Sequence, residues 1–239
     1  MGMTAQESKK ATFIHHSINA PCITTMTNSP ISKGSRECHQ ARVVAQLGSP
    51  QRVSTRLPEN DDDLIRCKLL LLQLDSPSDS LCATIESAER CGITVILTPA
   101  PSSTTRDAAL ACRGDFLIAN QTELEALTGL PVGSFIQMEE ATRCLLQRGL
   151  NNVIITLGER GCLWMSHGKT RHVAAYKVQE VDTRGAGDAF IGCFAHYYAK
   201  DGDVMNALEH ASLYAACSVT HKGIRRSYPS LAEFQAFRP

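Results

Sequence analysis

Neither sign of charge is in excess in this chain: across its 239 residues, 24 Lys and Arg balance 24 Asp and Glu. A chain without a net field does not gather nucleic acid or an anionic membrane by bulk attraction, so neither is expected as a partner. A small anionic ligand has to be held by local geometry. Long apolar stretches are also missing. The leucine run Leu69–Leu72 is far too short to cross a bilayer, and Lys9 and Lys10 are not followed by the apolar segment of a secretory leader. None of the ten cysteines forms a C-x-x-C pair, which argues against a zinc ribbon or a dithiol redox site. Several sit in apolar runs, where a free thiol behaves as a small hydrophobe, and reduced thiols imply a cytoplasmic protein. There is no G-x-x-x-x-G-K-[ST] sequence, so a P-loop enzyme is excluded. The eight histidines show no metal-ligand spacing, and His15, His16, His167 and His172 are expected at the surface or in turns. No internal repeat is present.

What is there changes character near residue 65. Residues 1–65 are rich in Ser, Thr, Pro and His with little periodicity, and segments Pro21–Arg36 and Gln51–Asp63 are expected to be loops. Beyond that point strand and helix signals alternate. Leu69–Leu74, Thr94–Leu97, Phe116–Ala119, Asn152–Leu157 and Cys162–Ser166 predict strands, and His172–Val181 is expected to be extended. Ser78–Arg90, Thr122–Thr128, Glu139–Arg148, Ala186–Lys200, Asp203–Val219 and Leu231–Phe237 predict helices. Such alternation implies an α/β fold, a mostly parallel sheet covered by helices on both faces. Ligands of such folds bind beyond the carboxyl ends of the strands. Three segments fall there: Asn120–Glu123, Thr156–Gly161 and Asp182–Asp188.

The most informative stretch is Val181-Asp182-Thr183-Arg184-Gly185-Ala186-Gly187-Asp188-Ala189-Phe190. Small residues open a predicted helix and let a ligand approach the backbone closely. A helix N-terminus offers unpaired N–H groups and partial positive charge, which suit a phosphoryl group in transfer. Asp188, in the first turn, is placed to accept a proton from a substrate hydroxyl. Taken alone, the segment also fits a Gly-rich turn with an N-terminal capping acid, and Asp182 fits either a structural cap or a cation ligand.

This segment resembles the D-T-x-G-A-G-D signature of the ribokinase family, the phosphofructokinase-B type sugar and nucleoside kinases. The resemblance implies that Asp188 is the catalytic base and that the amides of Gly185, Ala186 and Gly187 form the anion hole. It extends along the chain from about residue 66 to 230. Leu72-Gln73-Leu74-Asp75 resembles a strand ending in a sugar-binding acid, with Asp75 where Glu is usual. Thr98-Pro99-Ala100-Pro101 resembles an N-P-A-P-A loop. Asn120-Gln121-Thr122-Glu123 is similar to the N-x-x-E motif, which implies that Asn120 and Glu123 organise Mg²⁺ and the phosphates. Thr156, Leu157, Gly158, Glu159, Arg160 and Gly161 resemble the loop lining the nucleotide site, and Ser212 falls on its adenine side. Val219-Thr220-His221-Lys222-Gly223 and Ser227-Tyr228-Pro229 resemble the family's C-terminal end. By position, Asp182, Arg184, Ser218, His221, Gly223 and Ser227 would bind K⁺, several through carbonyl oxygens, which suit a hard cation.

The N-terminal part matches only in fragments. Ser17-Ile18-Asn19-Ala20 is similar to a sugar-site strand end, with Asn19 as a substrate residue, but Pro21 replaces the Asp that should follow. Lys33-Gly34 and the stretch from His39 to Gly48 resemble a sugar-site segment of the family, with His39 in the place of its sugar-binding Asn, and the register needs an insertion between Gly34 and His39. After Ser54 the family's β-lid and several strands are missing. Residues 1–65 therefore read as a degenerate remnant of the sugar-binding part, and residues 66–239 as the nucleotide-binding and catalytic part of one domain. The resemblance implies phosphorylation of D-ribose at O5 with ATP, Mg²⁺ and K⁺. Two other readings stay open: a truncated chain that binds only nucleotide or a partner, and a kinase of another sugar or a nucleoside. The family's lid often makes the dimer contact, so a homodimer is an expectation that the missing lid leaves open.

Overall fold

The computed structural model describes residues 22–26, 35–54, 61–64, 66–75 and 79–239. Asn19, Pro21, Lys33 and Gly34 lie outside them. Among the described residues all strands belong to one sheet of order β2-β1-β3-β4-β5-β6-β7-β8. Its members are β1 (Cys22–Met26), β2 (Gln51–Ser54), β3 (Cys67–Leu74), β4 (Thr94–Pro99), β5 (Phe116–Asn120), β6 (Asn152–Thr156), β7 (Cys162–Ser166) and β8 (Lys169–Val173). Pairing is parallel from β2 to β6 and antiparallel across β6-β7-β8.

The helices are α1 (Arg36–Gln46), α2 (Asp79–Arg90), α3 (Ala108–Ala111), α4 (Gln121–Thr128), α5 (Phe135–Gln147), α6 (Ala186–Asp201), α7 (Val204–Val219), α8 (Ile224–Ser227) and α9 (Leu231–Ala236). The expected sandwich is present, and β3 shows how it arises. Its successive side chains alternate between faces: Leu70, Leu72 and Leu74 join a core with Leu81, Ile85, Leu124 and Leu145 of α2, α4 and α5. Leu69 and Leu71 join a second core with Val43, Val44, Phe194 and Tyr214 of α1, α6 and α7. The single tryptophan of the sequence, Trp164 on β7, packs into this second core and donates its indole N–H to Asn152 Oδ1 at 3.1 Å.

Two of the expected loops are strands. Within Pro21–Arg36, β1 pairs with both β2 and β3. Within Gln51–Asp63, Gln51–Ser54 forms the sheet edge as β2. The strand β1 escaped the hydrophobic pattern because it is five residues long and places Thr24 and Thr25 inside, at 1% and 2% exposure. Of the stretch expected to be extended, His172 and Val173 close β8, and 174–181 has no regular structure. Helix α5 begins four residues earlier than expected because Ser134 and Gln137 cap it reciprocally.

The order also locates a switch point. The chain leaves β1 toward β2, then returns to place β3 on the opposite side of β1. In such sheets a crevice opens beyond the strand ends where connections diverge, and Asp75 directly follows β3 there.

Candidate active site

Helix α6 starts at a left-handed residue, Gly185, with φ 83°. A Cβ there would lie 2.6 Å from Ile224 Cγ2 and 2.7 Å from the Tyr228 hydroxyl, so only glycine fits both the backbone and the space. Tyr228 donates to the Gly185 carbonyl at 3.3 Å and holds the turn from behind. Ala189 N–H begins the helical ladder, donating to Gly185 O at 2.9 Å. The expected anion hole differs in one member: the Ala186 amide already donates to Thr183 O at 3.2 Å. Among the described residues no acceptor is recorded for the amides of Gly185, Gly187 and Asp188. These are orphan donors of a helix start, with the positive end of the α6 dipole behind them. A Cβ at Gly187 would meet nothing within 4 Å, so that face of the backbone is open to a ligand.

Asp188 is 9% exposed. Helix α1 supplies its partner, Gln40, whose Nε2 donates to Asp188 Oδ1 at 3.2 Å. The two helices can come this close because Gly192 lacks a side chain: a Cβ there would stand 2.7 Å from Gln40 O. Burial pushes the Asp188 carboxyl up to about 6, against the opposing pull of the Arg36 charge and the Gln40 hydrogen bond. A carboxylate with that affinity for a proton is poised as a general base near neutral pH.

Arg36 was not singled out from the sequence. At the start of α1 it donates to Glu123 Oε1 through both Nη1 and Nη2 at 3.1 Å, and to Pro99 O at 3.2 Å. It thereby ties α1 to the ends of β4 and β5. Asn120 and Glu123 form a capping box for α4, with Glu123 N–H on Asn120 Oδ1 and Asn120 N–H on Glu123 Oε2, both 2.9 Å. These acceptors are thus largely engaged. Among the described residues no three His, Cys, Asp or Glu side chains converge to cage a metal. Mg²⁺ does not require such a cage, since it keeps waters and phosphate oxygens as ligands.

A cleft of about 940 Å³ opens beside the α6 mouth. Thr156, Gly158, Glu159, Arg160, Gly161, Gly187 and Ser212 border it, with 175–178 along its rim. Gly161, at φ 88°, sits where a Cβ would strike Val173 O, which fixes the loop close to β8. Asn120, Glu123 and Asp188 do not border this cleft, and within the expected nucleotide loop Leu157 is the exception. It does not border the cleft; its side chain packs in the core, and its amide is bonded to Gly161 O at 2.8 Å. The Arg160 guanidinium is drawn to Gln121 Oε1 at 2.7 Å, over the ring of Phe135. A cleft of this size that ends at free helix-start amides fits a nucleoside triphosphate.

The expected substrate residues are only partly assembled. His39 is 5% exposed and meets Tyr228 edge-to-face at 5.8 Å, one residue from Gln40. Asp75 stands at the end of β3. Asn19 lies outside the described residues.

Of the residues expected to hold K⁺, Asp182, Arg184 and Gly223 are joined by hydrogen bonds, with the Arg184 guanidinium as the cation. Asp182 Oδ1 accepts from Arg184 N–H at 3.2 Å and Nε at 2.9 Å, and Oδ2 accepts from Arg184 Nη2 at 2.8 Å and the Gly223 amide at 3.0 Å. These donors hold the Asp182 carboxyl well below the usual carboxylate range. The Gly223 carbonyl receives the Arg226 and Ser227 amides, each at 3.0 Å. Ser218 and Ser227 donate their hydroxyls to nearby carbonyls at 2.8 Å, and the His221 ring lies 2.9 Å from Thr220 Oγ1. The Asp182 carboxylate and the Gly223 carbonyl, as placed, have no position left for K⁺.

The chain is similar to known proteins. A deoxyribokinase of Salmonella typhi is 48% identical over 176 residues, 74% of this chain and 58% of that protein. The chain thus spans less than two thirds of that relative's length. Arabidopsis thaliana ribokinase, solved with ribose and ATP, superposes with a TM-score of 0.76 at 20% identity, over 92% of this chain and 99% of that one. An E. coli ribokinase-type protein, solved with ATP and Mg²⁺, gives 0.72 at 17% identity, over 91% and 98%. These likenesses show the fold. The sequence profile of the pfkB family carbohydrate kinases matches residues 38–231, most of the chain and all of the α6 mouth, and the chain belongs to that family.

Proposed function

We propose that this chain transfers the γ-phosphoryl group of ATP to the primary hydroxyl of a five-carbon sugar, D-ribose at O5 or its 2-deoxy counterpart. The observation that carries the reading is the α6 mouth, where a buried carboxylate, Asp188, stands beside three amides for which no acceptor is recorded. Asp188 takes the proton from the attacking hydroxyl as the O–P bond forms. The amides of Gly185, Gly187 and Asp188 hold the equatorial oxygens of the phosphoryl group in transfer. Gln40 keeps the carboxylate oriented. The nucleotide lies along the cleft between Thr156–Gly161 and Ser212. Asn120 and Glu123, braced by Arg36, would hold Mg²⁺ through water, and the ion would supply positive charge to offset that of the phosphates. K⁺ forms no part of this reading.

The 48% identity to a deoxyribokinase favours 2-deoxyribose as an acceptor at least as strongly as ribose. ADP release by the purified chain, measured with each sugar in turn and with Asp188→Asn as control, tests both points. Turnover with either sugar that Asp188→Asn abolishes supports the reading. Turnover that the variant leaves intact removes Asp188 from the chemistry.

A further inference from the structure

The Asp182 carboxylate clamps the turn before α6 to the turn after α7, and its capacity is full. A carboxylate offers about four lone-pair positions. Here four donors take them: the Arg184 amide, Nε and Nη2, and the Gly223 amide. The main chain supports the same clamp, since Val181 and Asp182 N–H both donate to Val219 O, at 2.8 and 3.1 Å. The neighbouring oxygen of Gly223 is spent on two amides. Charge points the same way. Residues 180–184 and 219–228 carry Arg184, Lys222, Arg225 and Arg226 against Glu180 and Asp182, so an added cation would enter a field that is already positive.

We propose that Arg184 is a built-in cation: its guanidinium fills the position against Asp182 that an external monovalent ion would otherwise occupy, and it sets the turn carrying the anion-hole amides without K⁺ or Na⁺. The planar fork of Arg suits the role, because it meets one carboxylate through two parallel hydrogen bonds. The turn it fixes leads directly into Gly185, whose carbonyl is held from the other side by Tyr228. The purpose of the clamp rests on the kinase reading above; its ion preference does not.

The experiment is thermal unfolding, with ATP–Mg²⁺ affinity by calorimetry, in KCl, NaCl or choline chloride at equal ionic strength. The wild-type chain is expected to melt at one temperature and bind nucleotide equally in all three. Arg184→Ala, and Arg184→Gln as the bulk-preserving variant, are expected to gain a saturable rise in Tm with K⁺ that choline does not give. Nucleotide binding by these variants should tighten about fivefold or more in K⁺, the scale of ordinary site-to-site coupling. Adding Asp182→Asn to either variant should abolish the gain. A K⁺-specific, saturable stabilisation of the wild type overturns the proposal. So does indifference to K⁺ in both Arg184 variants, which would make the pair an ordinary surface ion pair. Melting needs no turnover, so a chain that fails to phosphorylate sugar still decides the question.

Discussion

With Asp188 as the proposed base, its protonation should set the acid limb of the activity profile. The carboxyl is pushed up to about 6 by burial, and a general base must be ionised to work, so turnover should fall as pH drops through that value. Asp188→Asn should lose about 10²–10⁴ in kcat while still binding ATP. Stability should move the other way. A carboxyl whose folded affinity for protons exceeds its unfolded one stabilises the fold fully below about 4, and this contribution is lost as pH rises through about 6. Asp188→Asn should therefore melt above the wild type at pH 8, and the gap should close toward pH 4. A constant gap in a pair of melting series would show that the proton affinity of Asp188 is not raised in the fold.

The neighbouring glycines separate by the same logic of space. Gly185→Ala meets both a left-handed backbone and the Tyr228 hydroxyl, and should cost about 1–3 kcal/mol of stability. Gly187→Ala meets nothing in the protein and gains helix propensity. Its Tm should hold or rise, while its methyl group enters the space assigned to phosphate and weakens nucleotide binding. Melting curves beside calorimetric titrations distinguish the two variants.

Among the elements, α1 was the least legible in the sequence and is the most instructive. An amphipathic helix announces itself by apolar residues at helical spacing. In α1 some of those inward positions are polar: Glu37, His39 and Gln40 are all buried because this face of the helix looks onto Asp188 and Tyr228. The chemistry of the site thus erased the pattern that would have revealed the element. Helices α2, α4, α6 and α7 face leucine-rich and alanine-rich cores, and their sequence spacing located them to within a residue or two. The D-T-R-G-A-G-D turn was legible because its glycines and acid stand at fixed places around a helix start. The contact between Gln40 and Asp188, 148 residues apart, has no local signal.

Two further outcomes belong to elements. The capping box of α4 makes Asn120→Ala cost about 1 kcal/mol, seen as a lower midpoint in urea, since the Glu123 amide loses its acceptor. Helix α6 also carries His196, whose Nδ1 lies 2.8 Å from Ser49 Oγ and joins it to the turn after α1. Burial, with Lys200 and His210 nearby, pulls the His196 imidazole down to about 4. A histidine that resists protonation in the fold makes folding harder as pH falls from about 6.5 toward 4. His196→Gln should flatten the loss of Tm over that window.

At the scale of the molecule, the departures from the family's sequence pattern fall on the acceptor side, at Pro21, His39 and Asp75. Among the described residues every strand lies in the one sheet, and no second layer covers the α6 mouth. Enclosure is what keeps water from competing with the sugar hydroxyl for the phosphoryl group. An uncovered mouth predicts ADP release in the absence of sugar, measurable beside the rate with sugar. Strict dependence of ADP release on sugar, in the same assay, would mean that some part of the chain closes over the site. The identity of the acceptor was not legible because the side chains expected to contact it, His39 and Asp75 among them, depart from the family pattern.

Trp164 gives this molecule an optical probe of its own. The lone indole is shielded in the core shared with α6 and α7 and hydrogen-bonded to Asn152, and its strand begins at Cys162, whose sulfur touches Ser212 at the cleft. Its emission is a single, unlabelled signal from the catalytic side of the sheet. Excitation at the red edge of protein absorbance should follow both unfolding of that layer and the filling of the cleft, with no second fluorophore of its kind to subtract.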